Sequence, residues 1–255
     1  MGTIYSGIPN MTYPREIQED VDAKIDGVYE RFYDNVGEII REDSLDELVK
    51  ESKDQRVHHP LWAFLSDEIY RSIGIDLYKR YKPRVFSIYF SGVDVAGHKF
   101  TKSDPYLQEK MDETYGPVHH NYYRYMDKVI GEFMGMADED TIIIVTADHG
   151  LMRGYHTNNG VFLIKGPPIR EGFEADEEIR LTDVTPTMLY LTGLPVAADM
   201  DGEVFTTAVK PGYLGDNPIQ YIDSYGDRGH QDYDVKASQV DDEIINRLKS
   251  LGYIE

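Results

Sequence analysis

Two apolar, β-rich runs, each ending abruptly in an acid beside an imidazole, constrain this chain more than any other feature. The first is Thr141–Thr146 (TIIIVT), followed at once by Ala147-Asp148-His149-Gly150. Its β-branched composition predicts a buried strand. The second is Val85–Phe90 (VFSIYF), which follows Pro83 and runs into Ser91-Gly92-Val93-Asp94-Val95-Ala96-Gly97-His98. If both strands lie parallel in one sheet, Asp94 and Asp148 emerge at the same carboxyl edge, where ligands bind in open α/β sheets.

Three histidines join the two acids. His149 adjoins Asp148, and His98 follows Asp94 with a spacing that a short Gly-containing turn brings back toward that carboxylate. His156 stands in a loop rich in Gly and Asn. Acids and imidazoles in this combination suit a divalent transition metal such as zinc. Five ligands, Asp94, His98, Asp148, His149 and His156, exceed one closed four-ligand site and suit two neighbouring ions. The plainer reading is two polar strand ends with solvated histidines. Five such residues converging at two strand ends favours the metal.

The segments FSGVDVAGH, VTADHG and YHTNNGVFLIKGP, in that order, resemble the alkaline phosphatase superfamily. The likeness is closest to the type I phosphodiesterase/nucleotide pyrophosphatase and phosphohydrolase–phosphomutase branch. It extends from about Tyr13 through LTDVTPTMLYLTGLPVAADMDG to the terminal RLKSLGYIE. The resemblance implies an α/β fold, part of a mostly parallel sheet flanked by helices. It also implies two divalent ions, zinc by preference, with Asp94, His98 and His156 on one and Asp148 and His149 on the other. A phosphoester small molecule would be the substrate. Family members complete the second site with an N-terminal Asp and a Thr or Ser nucleophile. Neither motif is visible, and Thr3 and Ser6 follow no strand and open no helix, so the chain resembles a C-terminal half whose activity alone is in question. A phosphomutase or sulfatase on the same half, and a non-catalytic metal-binding or interaction protein, are the alternatives. A half-sheet would expose an apolar edge and face, which predicts self-association or a partner chain over it.

Composition narrows the classes. The net charge of −20 argues against binding a nucleic-acid backbone, which needs Lys and Arg. It leaves a phosphorylated substrate open, because bound cations reverse the local field. The absence of cysteine excludes thiolate metal sites and disulfides within these residues. No window has the apolar length of a membrane span and the N-terminus has no signal-peptide pattern, so the chain as written reads as cytoplasmic.

A single domain is expected over 1–255, mainly helical over 1–82, with a metal-binding α/β core over 83–195 and a tail with a terminal helix over 196–255. Helical periodicity marks runs from Pro14 through Ile25, Val28–Ile40, Ser44 to about Glu51, Leu61–Tyr81, His119–Met134, a segment opened by Thr182-Asp183, and about Val240–Leu251. Phe100–Pro117 reads as loop or broken helix, and Val161–Ile164 as a third short strand. Trp62 reads as a core anchor, His58, His59, His119 and His120 as solvent-facing, and Lys99 and Lys102 as exposed lysines near the site. Asp183 reads as an N-cap in preference to a sixth ligand.

Overall fold

The computed structural model describes residues 12, 14–32, 36–54 and 60–226, and of 51–54 the backbone alone. The expected terminal helix at 240–251 and the residues Thr3, Ser6, His58 and His59 lie outside the described residues. The chain forms two compact units, Met1–Phe173 and Glu174–Glu255.

The first unit is built mainly of helices: α1 (Gln18–Glu30), α2 (Leu45–Asp54), α3 (Pro60–Tyr81), α4 (Gly92–Phe100), α5 (Pro105–Tyr115) and α6 (Val118–Met136). Helix α1 buries Val21, Ile25 and Val28, one face at the helical period, against Leu65 and Ile69 of α3. Trp62 is partly buried against the same cluster, the core anchor its position suggested. A larger core gathers Ile39, Leu48, Phe64, Ala96, Phe100, Val118, Tyr122 and Val129. Phe64 lies at its centre, edge-on to Tyr122 and Tyr125, and is only 1% exposed. Burying a side chain of this kind contributes about 1.5–3 kcal/mol.

Polar bridges tie α3 to α6. Tyr122 Oη donates to Asp67 Oδ2 at 2.7 Å and Tyr125 Oη to Glu68 Oε1 at 2.6 Å. The Arg71 guanidinium grips the Glu132 carboxylate with two bonds of 2.7 Å. The 100–117 segment holds a helix, α5, which the sequence left as loop or broken helix. Asp104 starts it by accepting the Leu107 N–H at 3.0 Å, with Pro105 in the first turn.

The sheets are small, and here the expected architecture needs correction. Strands β1 (Ile143–Thr146) and β4 (Phe162–Lys165) pair antiparallel, with Ile143 opposite Lys165 and Thr146 opposite Phe162. Strands β2 (Gly150–Met152) and β3 (Tyr155–Thr157) form an antiparallel hairpin between them. The two-residue turn between Met152 and Tyr155 allows β2 and β3 only antiparallel pairing, since a parallel partner needs a long crossover. Val85–Phe90, the expected first metal strand, is not a ladder strand in this structure. Its residues alternate between exposed and half-buried as a strand's would, yet the segment stands in none of the ladders among the described residues. A mostly parallel sheet is therefore not what these residues build, although the α/β class holds.

The second unit contains α7 (Val184–Leu191), α8 (Pro211–Asp216) and a two-stranded parallel pair, β5 (Val196–Ala197) with β6 (Tyr221–Ile222). Asp183 lies just before α7, but its carboxylate does not cap that helix. Oδ2 accepts the Arg180 N–H and Oδ1 the Glu203 N–H, both at 2.9 Å, and the Arg180 guanidinium pairs with it at 3.0 Å. The acid ties a loop to the helix entry, and backbone and guanidinium donors hold its pKa below the ordinary value against the cost of burial.

Candidate metal centre

Asp94 and His98 come from one face of α4. Where a turn was expected, the chain is helical from Gly92 to Phe100, so the two residues sit at i and i+4 and their side chains meet. Asp94 Oδ1 lies 3.2 Å from His98 Nε2. Ala96 and Phe100 anchor the helix in the core.

The other three residues come from the end of β1 and the hairpin. Asp148 and His149 fill the bend between β1 and β2, and His156 stands on β3 opposite Leu151, in a strand and not in the expected loop. Arg153 (φ 54°) and Gly154 (φ 82°) both take the left-handed region that a two-residue hairpin turn of type I′ requires. At Gly160 a Cβ would collide with the carbonyl oxygen of Ala147, so only glycine lets the chain return this close to the strand end.

The structure brings four of the predicted residues, Asp94, His98, His149 and His156, together and leaves Asp148 at the edge beside His149. His156 Nε2 is 3.2 Å from Asp94 Oδ1 and 2.7 Å from His98 Nε2. His149 Nε2 is 3.9 Å from Asp94 Oδ1 and 3.8 Å from Asp148 Oδ1. The His149 and His156 rings stack at 3.8 Å. Ligand atoms of Asp94, His149 and His156 all fall within 4.8 Å of one another. Asp148 occupies the rim, its side chain 67% exposed.

This donor set fits a divalent metal. Ligand atoms of one tetrahedral zinc lie about 3.3 Å apart, given bonds of about 2.0–2.1 Å. The two 3.2 Å Asp94–imidazole distances match that spacing. The 2.7 Å approach of His98 Nε2 and His156 Nε2 is shorter and lies in the hydrogen-bond range, the donor being set by the tautomers of the two rings. His98 Nδ1 lies 3.0 Å from the Gly154 carbonyl oxygen. Assigning the proton to Nδ1 satisfies that carbonyl and leaves the Nε2 lone pair facing the cluster, the arrangement of a metal-ligating histidine. Burial, followed by the His149 imidazole, lowers the His156 pKa against the pull of Asp94, which favours the neutral ring.

Of the neighbouring residues, Lys102 turns its ammonium to the Lys99 carbonyl at 2.8 Å. His120 is exposed, as expected, but His119 is not. It is half-buried against Gly97, with Nδ1 3.3 Å from Thr101 Oγ1 and its ring edge-on to Tyr123, and burial lowers its pKa. Asp67, within α3, was not singled out from the sequence. Its signal was a pair of carboxylates, Asp67 and Glu68, three and four residues beyond Phe64 on the buried side of the helix.

The chain belongs to the type I phosphodiesterase/nucleotide pyrophosphatase family, which it matches over residues 3–183. It is 27% identical over 144 residues to the catalytic subunit of GPI ethanolamine phosphate transferase 3 of Mus musculus, covering 52% of this chain and 12% of that protein. Over 232 residues it is 22% identical to GPI ethanolamine phosphate transferase 3 of Schizosaccharomyces pombe, covering 83% of this chain and 22% of that protein. Arylsulfatase K of Danio rerio is 28% identical over 92 residues, 30% of this chain and 18% of that protein. The chain thus spans between 12% and 22% of the length of these relatives. No solved structure matches it. Among the described residues, no helix is long and apolar enough to cross a membrane.

Proposed function

We propose that the cluster is a metal centre for chemistry on phosphoric esters, of the phosphodiesterase or nucleotide pyrophosphatase type. Asp94, His98 and His156 would hold one divalent ion, zinc by donor type, and Asp148 with His149 a second. The observation that carries the reading is the meeting of Asp94, His98 and His156 within 3.2 Å from two separate parts of the chain. Such ions, when bound, supply Lewis-acid polarisation of a phosphoryl oxygen and neutralise its charge. The protein's part is to orient the ligands. The Gly154 carbonyl orients the His98 ring, and the His149 and His156 rings pack face to face at 3.8 Å. The family's Thr or Ser nucleophile is assigned to no residue of this chain.

A second reading, transfer of a phosphoryl-linked group to an acceptor other than water, has support in the likeness to two phosphoethanolamine transferases. The same centre would serve it.

Elemental analysis of protein purified without chelator tests the reading, with His98→Ala and His149→Ala alongside. One zinc per chain, lost with His98→Ala and kept with His149→Ala, means the first site stands alone. Two zincs support the full pair, and hydrolysis of bis(4-nitrophenyl) phosphate then separates hydrolase from transferase. No bound zinc, manganese or magnesium would overturn the proposal and leave a non-catalytic role.

A further inference from the structure

We infer that Asp67 is the positioning residue of this centre, holding the first turn of α4 so that Asp94 and His98 face the hairpin histidines. The inference rests on reading the cluster as a metal site. A helix begins with backbone N–H groups that have no partner of their own, and a nearby Ser, Thr or Asp usually accepts one. Here Ser91 occupies the cap position without making that bond. Asp67, from α3, takes over instead. Its Oδ1 accepts the Ser91 N–H at 3.1 Å, and Oδ2 accepts the Gly92 N–H at 3.0 Å together with the Tyr122 hydroxyl at 2.7 Å.

The joint is built tightly. Asp67 is 0% exposed. A Cβ at Gly92 would run into the Tyr122 hydroxyl and the Asp67 carboxylate, so glycine at this position lets the helix start against them. A buried carboxylate is costly unless donors surround it, and an apolar residue of similar volume often serves stability as well. Asp67 therefore does something packing alone would not: it fixes where α4 starts, and both helix-borne ligands lie within the first two turns from that point. The remaining ligands stand on a bend and hairpin with no buried residue of their own, so the spacing of the centre depends on α4.

Asp67→Asn is the sharpest variant. Whichever way the amide is turned, its NH2 faces one of the backbone N–H groups, Ser91 or Gly92, that the carboxylate had accepted. Tyr122→Phe is gentler, since it removes one donor and leaves both backbone bonds. Ile25→Ala, in the separate α1–α3 cluster, controls for general loss of stability. Zinc affinity by competition titration of the full chain is expected to fall about tenfold or more in Asp67→Asn. In Tyr122→Phe it should fall by a smaller factor, and in Ile25→Ala stay within about twofold of the parent. Unchanged affinity in Asp67→Asn, or equal weakening in Ile25→Ala, would overturn the inference. If the parent itself takes up no zinc, the metal reading fails, and amide hydrogen exchange over residues 91–98 decides the positioning role. Protection lost there in Asp67→Asn but kept in Ile25→Ala would support it, and protection equally kept in both would overturn it.

Discussion

The two parts of the first unit that supply the candidate ligands are built on opposite physical terms. Around α3, α4 and α6 lies a dense core, with Phe64, Phe100, Tyr122, Val118 and Val129 out of contact with water. In β1–β4 no residue is buried, and Leu163 on β4 is 60% exposed. Asp94 and His98 thus ride on a helix fixed by apolar packing and a buried carboxylate. Asp148, His149 and His156 ride on a bend and hairpin fixed by glycines, a tight turn and ring stacking. The difference teaches that one side-chain cluster can be assembled from a helix set in a packed core and from a hairpin that buries no residue of its own.

That contrast can be broken most forcefully at Phe64. Phe64→Ala should destabilise the chain by about 3–5 kcal/mol, because it leaves a cavity in a core that cannot collapse onto it. Denaturant unfolding measures this, and a loss under about 1 kcal/mol would mean that the helical side is not the stable one.

Next in size is a pH effect on the same side. Burial, opposed by three hydrogen-bond donors and assisted by the Glu68 charge, pushes the Asp67 carboxyl from its ordinary 3.8 up to about 7. Between those values the folded chain keeps a proton that the unfolded chain has released. The stability Asp67 contributes is therefore complete below about pH 4 and lost as pH rises through about 7. Unfolding free energy should fall more steeply from pH 5 to pH 8 in the parent than in Asp67→Asn, whose amide does not titrate. Parallel curves would contradict this.

On the hairpin side, Gly154→Ala sharpens the comparison. A Cβ at φ 82° is strained and would press on the Thr101 carbonyl at 3.2 Å. Stability should drop by about 1–2 kcal/mol. Zinc affinity should fall as well, because the Gly154 carbonyl orients His98. Affinity unchanged in titration would mean that His98 does not depend on that contact. The smallest effect belongs to Leu163→Ala, expected within about 0.5 kcal/mol of the parent by thermal unfolding. A much larger loss would show that something covers the exposed face of β4.

The five candidate ligands were legible because the chemistry of Asp and His is written in residue type, and because DHG and GVDVAGH sit next to apolar runs that fix their place. Helix α3 was legible from its stripe of Leu61, Leu65 and Ile69. Less visible were α5, whose polar sequence buries no residue and so gives no apolar stripe, and the anchor at Asp67, whose partners lie 24, 25 and 55 residues away. Val85–Phe90 shows the opposite error. Its composition is strand-like, but a strand is a relation between two segments, and pairing cannot be read from one of them.

What the sequence by itself determined is the set of donors, the helical periods, and the glycines that permit the hairpin turn and the close return at Gly160. All of these depend on a residue's own geometry and its near neighbours. Tertiary structure alone decided the direction of the β1–β4 pairing, the helix that carries Asp94 and His98, and the carboxylate that starts it. Those depend on which distant groups meet, and in a folded chain a buried N–H donates to whichever oxygen the packing brings to it.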